Sequence, residues 1–93
     1  MENVWLLSIG FSEEGWYPIG IFSSEEKAIA KAAEEVRSLL HKNPRLAPLM
    51  KKLRESELRN EQLIMEYNEL VYGNRLIWEE VEIDTDMRRS REV

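Results

Sequence analysis

From Val4 to Phe11 the chain alternates. Trp5, Leu7, Ile9 and Phe11 fall on one side, and Val4, Leu6, Ser8 and Gly10 on the other. Period-two alternation of strand-forming residues predicts a β-strand. Ser12-Glu13-Glu14-Gly15 is polar and of hairpin length, and Gly15 is available for a positive φ. A second strand follows from Trp16 to Phe22. Pro18 within it removes a ladder donor, which predicts a sheet edge or a bulge there.

The pattern then changes period. Ile29, Ala32, Ala33, Val36, Leu39 and Leu40 recur at helical spacing. Ser23 with Glu26 three residues on makes a capping box at the start, and Glu25 and Glu26 favour the positive end of the helix dipole. Asn43-Pro44 ends this helix, because the residue before a proline is driven out of the α region. After a short linker, Pro48 suits the first position of a second helix. Leu49, Met50 and Leu53 open its apolar face, and Leu63, Ile64, Tyr67, Leu70 and Val71 resume it in register. The stretch between is polar apart from Leu58, with the pair Glu55–Arg59 supporting continuity, so one helix is expected to run up to Gly73 as its C-terminal cap. The rival reading pairs residues 63–72 as a strand with the next segment across Gly73-Asn74. The helical period at 63/64, 67 and 70/71 favours helix.

Leu76 to Asp84 completes the set as a strand. Ile77, Val81 and Ile83 share one face, while Leu76 and Trp78 take the other. The expected order is β-β-α-α-β: a small antiparallel three-stranded sheet with two helices on one face, an α+β fold. Residues 1–86 form a single domain in this reading, and residues 87–93 a charged, frayed tail.

Composition narrows the setting. Ninety-three residues without cysteine exclude a disulfide framework and a thiolate metal site, which fits a cytoplasmic protein. No basic segment leads into a long apolar run, so neither a signal peptide nor a membrane span is expected. The net charge of −5 is unevenly spread. Residues 25–60 hold nine Lys and Arg against six Glu, whereas residues 61–86 hold eight acids against Arg75 alone. Such asymmetry bears on partners rather than on fold.

Three sets of residues could carry a function. Glu80, Glu82, Asp84 and Asp86 alternate along the last strand, so their carboxylates project from one face about 6.6–7 Å apart. That is near the phosphate spacing of a nucleic-acid strand, and such a ladder could occupy a basic groove on another protein. The plainer alternative is a solvated face that discourages edge pairing. Trp16 and Trp78 are candidate aromatic anchors for a partner, since a tryptophan on an uncovered sheet face is a frequent interface residue. The alternative is that they fill the core. Lys42, Arg45, Lys51, Lys52 and Arg54 form a basic middle that could touch nucleic-acid phosphates. No aromatic interleaves them, and cations at a helix end and on an exposed face explain them as well. His41, the single histidine, lacks a metal-binding companion. No catalytic residue, metal or cofactor is assigned, because the acids are strung out without a nucleophile or a phosphate loop.

The junction Gly20-Ile21-Phe22-Ser23-Ser24-Glu25-Glu26-Lys27-Ala28 and the strand Trp78-Glu79-Glu80-Val81-Glu82-Ile83-Asp84 resemble those of short uncharacterised α+β proteins of bacteria and their phages. The resemblance covers about half the chain and has no counterpart for residues 44–72. It implies a phage or mobile-element origin and transfers no catalytic residue. The function expected is that of a small acidic, non-enzymatic module that binds a host protein. Its most concrete form is anti-defence, with a nuclease or nucleic-acid-handling complex as target, as for anti-CRISPR proteins. The alternatives are a nucleic-acid-binding regulator using the basic middle, and a structural homodimer.

Overall fold

The computed structural model describes residues 2–11, 13–71 and 73–83. Three strands, β1 (Glu2–Phe11), β2 (Gly15–Phe22) and β3 (Arg75–Ile83), form one antiparallel sheet in the order β2-β1-β3. The central strand is thus the first in sequence. Between β2 and β3 the chain forms α1 (Glu25–Leu40), a 3₁₀ turn (Pro44–Leu46), α2 (Ala47–Glu55) and α3 (Asn60–Leu70). The fold is α+β, as expected, with three helices in the order β-β-α-α-α-β instead of two.

The expected long second helix is interrupted at Ser56–Arg59. Ser56 adopts extended angles (φ −151°, ψ 154°) and its amide caps α2 by donating to the Lys52 carbonyl. Arg59 is also extended, and its amide donates to Gln62 Oε1 at 3.0 Å to start α3. An exposed Glu–Arg pair four apart contributes only about 0.3–0.5 kcal/mol, too little to hold a helix against burial. The break turns α3 onto α1, and Lys52 Nζ of α2 reaches Glu66 Oε1 of α3 at 2.6 Å. It also packs Leu58 against the core and lets Leu49, Leu63 and Ile64 share one interior.

Several expected details move by one position. The cap of α1 is Ser24, whose Oγ accepts from the Lys27 amide at 3.2 Å, while Ser23 Oγ accepts from Lys27 Nζ. Ser24→Ala should therefore lower stability by about 1 kcal/mol and Ser23→Ala should leave it nearly unchanged, as read from urea-unfolding midpoints. The cap of α3 is Val71, not Gly73, and the left-handed residue is Asn74 (φ 58°). Gly73 is small for another reason: the Phe11 ring lies where a Cβ would stand, 2.6 Å away. Pro18 behaves as expected. It lies in an edge strand, beside a bulge opposite Leu7/Ser8. Asp84, Asp86 and the tail 87–93 lie outside the described residues.

The core lies between the sheet and the helices. Leu7 and Leu76 meet Ile29, Ala32, Ala33, Val36 and Leu40 of α1, Leu46 and Leu49, and Leu63, Ile64 and Tyr67 of α3. The alanines of α1 let its backbone approach the sheet closely. Among the described residues no helix is long and apolar enough to cross a membrane.

Candidate functional site

Cross-strand register determines which side chains share a face, because directly opposed residues on antiparallel strands project together. Leu7 opposes Trp78, and Ile9 opposes Leu76. All four are in or against the core, so this is the helix-covered face. The other face consists of transverse rows: Trp16–Gly10–Arg75, Pro18–Ser8–Ile77, Ile21–Leu6–Glu79 and, on two strands, Val4–Val81. Ser8, on the central strand, is shielded between Pro18 and Ile77, and Val4 is buried beside Val81, but Ile21 is 59% exposed. Trp16, Leu6, Ile77 and Val81 are half-buried and lie outside the core cluster. Among the described residues no helix packs on this face, which is mostly apolar, with one acid and one base at its β3 margin.

The covered side carries the acids. Glu80 opposes Trp5 and Glu82 opposes Asn3; both are exposed, two residues apart on one face of β3. Glu79 is exposed on the opposite face. At the start of α1, Glu25 Oε2 accepts from the Trp78 indole Nε1 at 3.2 Å. Glu25 and Glu26 join Glu61, Arg59 and Met65 around an open groove of about 400 Å³ between α1 and α3. Among the described residues no three His, Cys, Asp or Glu converge as a metal cage would require.

The two candidate tryptophan anchors lie on opposite faces. Trp16 is half-buried on the uncovered face, whereas Trp78 is packed against the core and tied to α1 by its hydrogen bond. Of the basic set, Lys42, Arg45, Lys51, Lys52 and Arg54 are all exposed, strung from the end of α1 along α2. Lys52 is engaged by Glu66. Lys51, Lys52 and Arg54 are on α2, Arg45 is in the 3₁₀ turn and Lys42 follows the end of α1.

Two polar side chains, buried Tyr67 and half-buried Asn68, have structural work at the α3–β3 junction. Tyr67, 2% exposed, donates its hydroxyl to the Asn74 carbonyl at 2.8 Å. Burial pushes its phenol above the ordinary value of 10.0, because the charged form is poorly solvated there. Asn68 grips the start of β3, donating Nδ2–H to the Leu76 carbonyl and accepting the Leu76 amide at Oδ1, both at 2.8 Å.

An uncovered face was expected for its tryptophan, but the apolar rows beside Trp16, with Leu6, Ile21, Ile77 and Val81, were missed by reading each strand for one buried side. A signal was present: in β1 both alternating sets are apolar, with Val4 and Leu6 as well as Leu7 and Ile9, and Ile77 and Val81 repeat this on β3. A strand apolar on both faces expects cover on both. No protein family, curated protein or solved structure matches this chain.

Proposed function

We propose that this chain is a non-enzymatic module that acts by binding protein, and that the uncovered sheet face is its binding surface. The observation that carries the reading is the set Leu6, Trp16, Ile21, Ile77 and Val81, aligned on one face and packed against no helix. Contiguous apolar patches of a few hundred Å² on small proteins mark interaction sites. Trp16 is the aromatic of the kind that dominates binding energy when a partner desolvates it.

Glu80 and Glu82 stand on the other side of β3 and remain accessible when the apolar face is covered. They support a narrower version, in which a second, basic partner is a host nucleic-acid-handling protein and the chain serves a phage or mobile element against defence. Two carboxylates about 6.6–7 Å apart can stand in for neighbouring phosphates, and they steer association at low salt.

The test is capture of partners by the chain and by its Ile21→Asp variant. Ile21 is exposed and makes no core contact, so the variant should unfold within about 0.5 kcal/mol of the parent. A protein retained by the parent and lost by the variant is the expected result. Retention unchanged by Ile21→Asp would show that the face takes no part. Glu80→Lys with Glu82→Lys tests the narrower version, which expects loss of a salt-sensitive partner.

A further inference from the structure

Resting on the protein-binding reading, we infer that the occupant of the uncovered face is a second copy of this chain, related by a two-fold axis along the Pro18–Ser8–Ile77 row.

The face is self-complementary about that row. A two-fold axis in the plane between two stacked sheets, perpendicular to the strands, reverses strand direction and lays each row over its symmetry mate. Ile77 then meets Ile77, and Pro18 meets Pro18. The Trp16–Gly10–Arg75 row lies over Ile21–Leu6–Glu79 of the partner. Each of the three pairings is chemically matched. Trp16 packs on Ile21; Leu6, a projecting side chain, stands over Gly10, which has none; and the Arg75 guanidinium faces the Glu79 carboxylate. Within one protomer Arg75 and Glu79 are four residues apart on a strand, about 13 Å, too far to pair. Arg75 shares a groove with Glu13 and Glu14 of the hairpin turn, yet among the described residues neither Arg75 nor Glu79 has an ion-pair partner. A two-fold interface uses one patch twice, so a patch with one base and one acid equidistant from its axis satisfies itself.

Area sets the strength of this pairing and the edges set its mode. Three strands at about 4.8 Å spacing and eight residues at about 3.3 Å give a face of about 14 by 26 Å. Two copies of it bury about 700 Å², below the roughly 1,000 Å² of a stable complex, so the pairing is weak and depends on concentration. The alternative, pairing edge to edge, is blocked on both sides. Pro18 and the bulge interrupt β2, and Glu79, Glu80 and Glu82 on β3 would meet their own copies. Residues 84–93 hold Met87 and Val93 as their only apolar side chains, too little surface to cover the face.

Sedimentation of the full chain over a wide concentration range tests the inference. The mass should rise from 11.0 kDa toward twice that value. Arg75→Glu and Glu79→Arg should each weaken dimerisation about tenfold or more, and the double exchange should restore it, since like charges across an interface repel. Circular dichroism of each variant guards against loss of fold. A dimer indifferent to both single changes overturns the assigned axis. A mass of one chain at every concentration overturns self-pairing; a dimer that appears only when residues 84–93 are removed makes that segment the occupant instead. In the monomeric case the broader reading is judged separately: a captured protein lost on Ile21→Asp preserves it, and none lost removes it too.

Discussion

Leu7→Ala should lower the unfolding free energy by about 3–4 kcal/mol, seen as a lower urea midpoint with an unchanged slope. Leu7 is fully buried at the middle of the central strand, opposed by Gly20 on one side and Trp78 on the other. Glycine offers no side chain to fill the space left behind, and Trp78 is tethered to Glu25 through its indole. The site therefore collapses poorly, and a cavity persists. A domain of this size has about 5–14 kcal/mol in all, so one methyl-rich side chain accounts for a large fraction. The comparison should be run at one protein concentration, because association adds to apparent stability. A loss below about 1 kcal/mol would mean that the sheet relaxes onto α1 and that the interior is less tightly packed than described.

Asn68→Leu should cost about 2–4 kcal/mol, a loss comparable to a core truncation although the residue is polar and only half-buried. Its carboxamide satisfies both backbone groups of Leu76 at the first turn into β3. Leucine keeps the branched outline of four side-chain heavy atoms, though it is bulkier, and leaves a partly buried amide and carbonyl without partners. Asn68→Asp distinguishes the two bonds: the carboxylate still accepts from the Leu76 amide but faces the Leu76 carbonyl with no donor. It should be about as damaging as leucine at neutral pH and recover in part in acid, where a protonated carboxyl can donate again. Equal stability of all three proteins would remove the clamp from the account. Hydrogen exchange at the Leu76 amide supplies a local readout, with faster exchange expected in Asn68→Leu.

How much of this was legible along the chain depends on the range of the interaction. The alternation of β1, the edge character of β2 at Pro18 and the stripe of α1 are local, set by side-chain period and by proline's missing donor. The structure reproduces them nearly residue for residue. The choice of Ser24 over Ser23 as the cap was not local enough, since two adjacent serines are chemically equal and only the entry angle of the chain from β2 separates them. The division of the expected second helix was also hidden. The propensities of residues 55–62 permit a continuous helix, and the packing of Leu58 against the core with the seating of α3 on α1 decides otherwise. Gly73 was read as a helix terminator and is instead the seat of the Phe11 ring, a contact across 62 residues of chain.

The candidate site divides along the same line. That Glu80 and Glu82 share a face follows from a period of two, and that β1 and β3 are apolar on both sides can be read directly from their residues. By itself the sequence determined the element types, the faces within each strand and the uneven charge, because these depend on neighbours one to four positions away. Only the tertiary structure decided that β1 is central, that the expected second helix divides in two, and that Trp78 is covered while Trp16, Ile21 and Ile77 are not. Those outcomes rest on strand pairing and layer packing between residues far apart in the chain, where the free energy of burying one apolar face against another selects among arrangements that local preference leaves equal.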